Sequence, residues 1–244
     1  MKTSIKLENK DSLIGMKGMK SECVDLVLSD PPYGIANKTK LTKVGDKFVT
    51  TEQAWGNDFK DEWKGIEDYY VWFKPYVAEM ARVLKEDGSL VLFLDRTYTG
   101  YLIHHLMEDF GLKYRNKVYF QKTNPLPSLR KNNYRSSIEE AIWLTKGKSY
   151  HINFAEQSEM TQCYEGAIGK KASAHPTEKY RWMMEPLIKN HSKPGDLILD
   201  PFAGSGSTLV YGHELGRNVV GFELNEKFYQ MAMERLSGKA KKAA

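Results

Sequence analysis

The chain has 244 residues, of which 41% are hydrophobic and 27% are charged, ordinary values for one globular domain with a buried core. No apolar run approaches the roughly 18 residues that a membrane span needs. The first residues are not followed by the apolar segment of a signal peptide, so we expect a cytoplasmic protein without a membrane partner. The two cysteines, Cys23 and Cys163, are too few for a structural zinc site, and no metal is expected.

Apolar runs and helical periodicities alternate along the chain. Residues 24–28 predict a buried strand, and the polar residues 35–65, which lack periodicity, predict a mobile loop. A helix is predicted from an N-cap at Asp68 to Leu84, with its end near Gly88. The later predictions are strand 89–94, helix 101–110, strands 117–121 and 140–144 as an antiparallel pair, irregular residues 146–173, helix 181–190 kinked or shortened by Pro186, strand 197–199, turn 200–206, helix 207–215, strand 219–222 and helix 227–236.

This alternation of strands and helices predicts a parallel α/β sheet. In such a sheet, ligands bind at the carboxyl ends of the strands. The two distinctive motifs of the chain both follow apolar strands directly, so we expect both motifs at that edge.

The segment 200–208 reads Asp-Pro-Phe-Ala-Gly-Ser-Gly-Ser-Thr and has the composition of a ligand-binding turn. Its glycines allow close backbone approach, and the helix that follows offers free N–H groups to an anionic group. Leu209 stands where a dinucleotide fingerprint has its third glycine, and there is no Gly-Lys-Ser/Thr of a P-loop. Glu223 ends the next strand, where a carboxylate can accept both hydroxyls of a ribose.

The second motif is Asp30-Pro31-Pro32-Tyr33, directly after the strand 24–28. The lone pair of a nucleobase amino group is delocalised into the ring, so its nitrogen is a poor nucleophile. The Asp30 carboxylate and the Pro31 carbonyl could accept its two N–H groups and expose the lone pair, on a backbone that proline makes rigid. Tyr33 could stack on a base turned out of the duplex. The alternative is a proline-rich turn with an aromatic plug.

These motifs resemble those of the β-class DNA amino-methyltransferases. Asp30-Pro31-Pro32-Tyr33 is similar to the catalytic motif of that family, and residues 202–208 are similar to its Phe-x-Gly-x-Gly-x-Thr cofactor loop. Residues 175–179, His-Pro-Thr-Glu-Lys, resemble the His-Pro-Thr-x-Lys-Pro of one subgroup, with Tyr180 in place of the final proline. The catalytic motif comes first and the cofactor loop last, as in the β-class, and the match covers nearly the whole chain.

The resemblance implies a Rossmann-like S-adenosylmethionine-dependent methyltransferase sheet of seven strands in circularly permuted order. The single domain, 1–244, would comprise a catalytic region 1–147, a short target-recognition segment at about 148–174 and a cofactor-binding region 175–238. The partner would be double-stranded DNA, and the chain could form a homodimer. The implied cofactor-binding residues are Asp11, Ser12, Thr177, Lys179, Asp200, Phe202, Gly204, Gly206, Ser207, Thr208, Glu223 and Asn225. Within that set, Asp11 and Ser12 would lie beside the adenine of the cofactor, and Thr177 and Lys179 near its carboxylate.

Basic residues interleaved with aromatic ones suit binding to a phosphate backbone, although a solvated face has the same composition. The DNA-binding candidates are Lys38, Lys40, Lys43, Lys122, Arg130, Lys131 and Arg135. We expect the loop 37–64 to be disordered without DNA and to close on a flipped base.

In the family that the chain resembles, Asp-Pro-Pro-Tyr favours N6 of adenine and Ser-Pro-Pro-Tyr favours N4 of cytosine. We therefore expect N6-adenine methylation, with N4-cytosine methylation as the nearest alternative. An RNA or protein methyltransferase is disfavoured by the motif order, and a dehydrogenase by the missing third glycine. A DNA-binding module without catalysis is disfavoured because both motifs are intact.

Overall fold

One mixed sheet of eight strands organises the fold in the computed structural model. The structure describes residues 3–33, 39–44, 47–52, 63–128, 131–169 and 178–238, and for 39–52 it describes only the backbone. The strands are β1 Ile5–Asn9, β2 Val24–Ser29, β3 Thr39–Val44, β4 Lys47–Glu52, β5 Leu84–Phe93, β6 Lys113–Lys122, β7 Ile138–Thr145, β8 Cys163–Gly166, β9 Leu197–Asp200 and β10 Asn218–Glu223. The helices are α1 Ser12–Lys17, α2 Ile66–Val83, α3 Thr99–Phe110, α4 Arg181–His191, α5 Ser207–Glu214 and α6 Glu226–Leu236.

The strand order in the large sheet is β1-β10-β9-β2-β5-β7-β6-β8. From β1 to β5 all neighbours are parallel, whereas β7 runs antiparallel to both β5 and β6. The last pair, β6 and β8, is parallel. Seven of the eight strands therefore end at one edge of the sheet, and β7 alone begins there. The predicted α/β class and the predicted antiparallel pair are confirmed.

Apolar residues fill both faces of the sheet because successive side chains of a strand point in opposite directions. Leu90 and Leu92 of β5 belong to the cluster under α1, α2 and α3. Val91 and Phe93 of the same strand belong to the cluster on the other face, together with residues of α4 and α5. The sheet is thus the middle of three layers. Within the described part of the chain, no helix is long and apolar enough to cross a membrane.

The helix α2 differs from its prediction at both ends. It begins after Gly65, and Asp68 is not its N-cap but accepts a hydrogen bond from the Lys64 N–H within the first turn. It ends at Val83, and β5 begins at the next residue. Gly88 lies inside β5, where a Cβ would come within 2.8 Å of the Leu84 side chain and 3.0 Å of the Asp25 carbonyl oxygen. The glycine therefore serves close packing and not a helix end.

Two strands lie where the sequence predicted none. Thr39–Val44 and Lys47–Glu52 pair antiparallel inside the predicted loop 35–65. Their β-branched and aromatic residues flank Gly45-Asp46 in the sequence, a hairpin signal that the lack of hydrophobicity had outweighed. The remaining residues of that loop before Trp63 lie outside the described residues. The expectation that the loop closes on a base therefore stays a prediction.

The other new strand, Cys163–Gly166, extends the sheet beside β6 within the predicted irregular segment 146–173. It is the strand by which the sheet exceeds the seven that the resemblance implies. The predicted helix 181–190 is confirmed as α4, which runs to His191 with Pro186 inside it. Of the two predicted effects of Pro186, a kink or a shortening, the shortening is wrong.

Candidate active site

The predicted site residues meet at the edge where the parallel strands end. Asp30 follows β2, Asp200 ends β9 and Glu223 ends β10, and these three strands are neighbours in the sheet. Asp11 follows β1, the strand beside β10. The topology thus brings together residues from both ends of the chain, as the position of the two motifs had predicted.

Asp30 has one paired oxygen and one free oxygen. Its Oδ2 lies 2.9 Å from the Lys179 Nζ. Its Oδ1 is buried and has no hydrogen-bond partner among the described residues. Burial raises the pKa of Asp30, and the Lys179 ammonium offsets part of that rise. A buried acceptor without a donor is unfavourable, so this atom indicates a place for an incoming N–H group.

The pairing of Asp30 continues into a row of alternating charges. Lys179, which is only 8% exposed, also lies 3.0 Å from Glu139 Oε2. Glu139 Oε1 lies 2.7 Å from the Lys122 Nζ. Burial alone would raise the pKa of Glu139, but the two ammonium groups lower it to about 2. Burial would lower the pKa of Lys179, but the carboxylates of Asp30 and Glu139 raise it well above its ordinary value.

Tyr33 is half-buried beside Asp30 and packs against the apolar cluster under α1 to α3. Burial raises the pKa of its phenol, and the Asp30 carboxylate raises it further. The ring is therefore neutral at physiological pH. Pro31 is buried and Pro32 is half-buried, so the motif is held against the sheet.

The glycine turn between β9 and α5 wraps around the Glu223 carboxylate. Glu223 accepts the Gly204 N–H through Oε2 and the Asn225 N–H through Oε1, both at 2.8 Å. Gly204 and Gly206 have φ values of +51° and +77°, a left-handed conformation that favours glycine. Asn225 in turn caps α6 by accepting the Phe228 N–H. Burial raises the pKa of Glu223.

Asp200 joins this turn to the Asp30 motif. Its Oδ1 accepts hydrogen bonds from the Ser29 hydroxyl at 2.6 Å and from the Phe202 N–H at 3.1 Å. Ser29 directly precedes Asp30, so this hydrogen bond to Asp200 links the segments that carry the two predicted motifs. Burial raises the pKa of Asp200 to about 6.

A buried arginine that the motif analysis missed supports the turn from α6. Arg235 donates to the Ser205 carbonyl and hydroxyl and to the Ser207 hydroxyl. It also lies 3.4 Å from Glu178, the residue before Lys179, and both side chains of this ion pair are 4% exposed. Residue 178 thus contacts Arg235, which supports the glycine turn, and the adjacent residue 179 contacts Asp30. The sequence signal was present in Glu178, but nothing local pairs it with a residue of α6.

Asp11 and a group of aromatic rings form the far end of the site. Asp11 caps α1 through the Leu13 N–H at 2.8 Å, and its other oxygen accepts from the Tyr76 hydroxyl at 3.1 Å. The Phe202 ring lies 5.4 Å from that of Tyr76 and 5.9 Å from that of Trp72. Such a wall beside a carboxylate could hold a purine ring by stacking.

The remaining predicted cofactor residues are partly visible. Ser12, Ser207 and Thr208 are buried, and the Thr208 hydroxyl lies 3.4 Å from the Leu28 carbonyl oxygen at the end of β2. Thr177 lies outside the described residues.

The predicted DNA-binding residues have diverse positions. Lys122 is paired with Glu139, and Arg135 donates to the carbonyl oxygens of Pro125 and Leu126 within the β6–β7 loop. Lys131 is exposed in the same loop. Lys38 and Arg130 lie outside the described residues, and for Lys40 and Lys43 only the β3 backbone is described.

The β6–β7 loop also contains a cavity of about 250 Å³ at the site edge. Tyr134, which is 97% exposed, lines this cavity together with Lys122 and Arg135. An exposed aromatic ring beside basic residues suits a nucleic-acid surface.

The chain is similar to known proteins over most of its length. The family described as DNA methylase matches residues 24–234. The chain is 28% identical to the type II methyltransferase M2.DpnII of Streptococcus pneumoniae, covering 96% of this chain and 90% of that protein. It is 29% identical to the type II methyltransferase M2.LlaDCHI of Lactococcus lactis subsp. cremoris, covering 95% and 88%, respectively.

Solved structures share the fold. The complex of M1.HpyAVI with SAM matches with a TM-score of 0.73 and 23% identity, over 95% of this chain and 98% of that chain. The PvuII DNA methyltransferase, whose description is cytosine-N4-specific, matches with a TM-score of 0.74 and 18% identity, over 96% and 87%.

Proposed function

The chain belongs to the DNA methylase family, and we propose that this DNA amino-methyltransferase transfers the methyl group of S-adenosylmethionine to N6 of adenine in duplex DNA. The observation that carries the proposal is the buried Oδ1 of Asp30, which has no hydrogen-bond partner among the described residues and lies at the edge where β2 ends. It lies in a motif directly joined, through Ser29 and Asp200, to the turn predicted to bind the cofactor.

Asp30 would activate the amino nitrogen as a hydrogen-bond acceptor. When an N–H of the base donates to Oδ1, the nitrogen moves toward tetrahedral geometry and its lone pair becomes available. Since Oδ1 meets no hydrogen-bond donor among the described residues, it is available to accept this N–H group. Tyr33, neutral and held against the apolar cluster, would stack on the flipped base.

The cofactor fits the acids and rings of the same edge. S-adenosylmethionine supplies, when bound, a methyl group on a positively charged sulfur. Glu223 would accept the ribose hydroxyls with the lone pairs that the Gly204 and Asn225 N–H groups leave free. Asp11, with Phe202 and Tyr76, would hold the adenine ring. The glycines 204 and 206 would let the amino-acid part approach the backbone.

The choice of adenine rests on the aspartate before Pro-Pro-Tyr. An ionised carboxylate can only accept hydrogen bonds, which suits the two N–H groups of an exocyclic amine. In the family that the chain resembles, aspartate at this position favours adenine. N4 of cytosine is the same kind of amino group, so cytosine methylation is the alternative outcome of the test.

The decisive experiment is incubation with S-adenosylmethionine and unmethylated duplex DNA of mixed sequence, followed by mass spectrometry of the nucleosides. N6-methyladenine is the expected product. N4-methylcytosine would keep the chemistry and overturn the base, and an absence of methylated base with cofactor bound would overturn the activity.

Two aspartate variants make the experiment specific to the site. Asp30→Ala should abolish methyl transfer while largely retaining cofactor binding, because the residues proposed to bind the cofactor follow β9, β10 and β1. The control variant is Asp109→Asn. It removes a carboxylate that is paired with Lys74 at the C-terminal end of α3, and it should leave the activity unchanged. Retained activity in Asp30→Ala would contradict the assigned role.

A further inference from the structure

We propose that Lys179 is a positioning residue for Asp30 and does not bind the cofactor carboxylate, an inference that rests on the proposed function. Its ammonium group holds Oδ2 of Asp30, which leaves Oδ1 directed to the amino group of the base. The resemblance had implied instead a place beside the cofactor.

The surroundings of Lys179 leave its ammonium little freedom. It lies 2.9 Å from Asp30 Oδ2, 3.0 Å from Glu139 Oε2 and 4.7 Å from the centre of the Phe93 ring. Departure of the ammonium from this place would leave the Asp30 carboxylate without a described counterion and Glu139 with Lys122 alone, which is unfavourable. The described contacts therefore engage the ammonium with two carboxylates and with the face of one aromatic ring, without a cofactor.

The partners of Lys179 are themselves fixed. Glu139 stands at the start of β7 and is held on its other side by Lys122 of β6. On the chain before Lys179, Glu178 is buried against Arg235, which supports the glycine turn. The dipeptide 178–179 thus fixes the position of Asp30 relative to the turn.

The same contacts control the charge of Asp30. The groups that face its carboxylate are the Lys179 ammonium, the Glu139 carboxylate, the Tyr33 phenol and, behind the sheet edge, the Asp200 carboxylate. Among these described neighbours, Lys179 alone carries a positive charge. Only the ionised Asp30 accepts from an amino N–H with either oxygen, so removal of Lys179 should impair the reaction both by misplacement and by protonation.

The first test compares Lys179→Met with the wild type at saturating S-adenosylmethionine. The single-turnover rate of methyl transfer should fall about 100-fold, the scale of a misplaced reacting group. The dissociation constant of the cofactor, measured by calorimetry, should stay at the wild-type value. Weaker cofactor binding with an unchanged single-turnover rate would overturn the proposal. It would indicate that Lys179 binds the carboxylate of the cofactor.

The matched control is Lys85→Met. Lys85 forms an ion pair with Asp25 at 2.6 Å near the start of β2, at the opposite edge of the sheet. Its loss should leave both the rate and the cofactor affinity unchanged. Thermal unfolding of each variant establishes that the protein is folded.

The second test uses pH and does not depend on the folding of Lys179→Met. The Glu139→Gln variant retains the ion pair between Lys179 and Asp30. It removes the Glu139 carboxylate, which raises the pKa of Asp30. The acid limb of the single-turnover rate should therefore move to lower pH, and in Lys179→Met it should move to higher pH. An acid limb of Glu139→Gln at the wild-type position would overturn the proposal.

These outcomes are separate from those that test the proposed function. If the wild-type protein methylates no DNA, the proposed function has failed. If the wild type methylates DNA and Lys179→Met matches it in rate and pH dependence, only the positioning role has failed.

Discussion

Single buried carboxylates at the site edge differ in how their charge is compensated. Asp30 and Glu139 share a buried lysine, whereas the described residues compensate Asp200 with hydrogen bonds from Ser29, Thr208 and the Phe202 backbone and with no cation. Burial without a counterion favours the neutral acid. Asp200 is therefore the group at this edge whose protonation should affect the stability of the fold most visibly near neutral pH.

The Asp200→Asn variant tests this effect. Because the pKa of Asp200 rises from 3.8 to about 6 on folding, its contribution to stability is complete below pH 3.8 and is lost as the pH rises through 6. The asparagine keeps an acceptor for Ser29 and Phe202 but does not ionise. In denaturant unfolding, its free energy of unfolding relative to wild type should rise by about 3 kcal/mol between about pH 4 and about pH 8.

Asp109→Asn is the control for that measurement. Hydrogen bonds from Lys74 and Tyr70 lower the pKa of Asp109, so the wild type gains stability above its unfolded pKa, and the difference should run in the opposite direction. Asp109 is partly exposed, so the effect should be small. An Asp200→Asn difference that is constant with pH would contradict the burial argument.

The residues of the candidate site were predictable to the extent that they follow a strand. Asp30, Asp200 and Glu223 stand directly after, or at the end of, apolar runs, and parallel strands end together. Glu139 was not predictable in this way, because β7 alone begins at that edge. Arg235 was missed because its partners, Ser205 and Glu178, are distant in sequence.

At the scale of elements, the glycine turn owes its shape to left-handed residues. A Cβ on Gly206 would lie 3.0 Å from the Ala232 Cβ of α6, so the turn and the helix are in close contact there. Gly216, after α5, has a similar φ of +82°, but a Cβ there would meet only the Pro194 side chain at 3.7 Å. The two glycines share a left-handed conformation that would strain any other residue, and they differ in location.

This pair allows a matched prediction. Gly206→Ala and Gly216→Ala should each lower the free energy of unfolding by about 1–2 kcal/mol through the strain of a left-handed alanine. Gly206→Ala should cost more than Gly216→Ala, because its Cβ would also crowd the Ala232 Cβ. Only Gly206→Ala should also weaken the binding of S-adenosylmethionine, measured by calorimetry on the folded protein. Equal cofactor affinity in the two variants would argue against the turn as the binding site.

The elements that were not correctly predicted from the sequence are those that neighbouring strands of the sheet stabilise. β8 has four residues and is held by its parallel pairing with β6 rather than by an apolar pattern of its own. The early start of β5 at Leu84 likewise follows from pairing with Val24, which no local signal encodes. The long periodic helices and buried strands, in contrast, carry their own signal.

At the scale of the whole molecule, the sheet separates two edges of different use. The strands bring Asp30 and the glycine turn to one edge, and the β6–β7 loop with its exposed Lys131 lies at the same edge. Lys113, at the start of β6, is exposed at the opposite edge. A duplex that delivers a base to Asp30 must approach the first edge, so phosphate contacts should be confined to it.

The salt dependence of DNA binding tests this asymmetry with two lysines of the same hairpin. Lys131→Gln should weaken binding about equally for all sequences and reduce the slope of log K against log salt by about 1, because one phosphate contact is lost. Lys113→Gln removes the same charge from the net +5 but should leave the slope unchanged. Binding can be measured by fluorescence anisotropy over a salt series. If both variants reduce the slope equally, DNA binds the whole positive surface and not preferentially the edge that carries Asp30. If only Lys131→Gln reduces the slope, the duplex lies across the edge of the sheet where Asp30 is found.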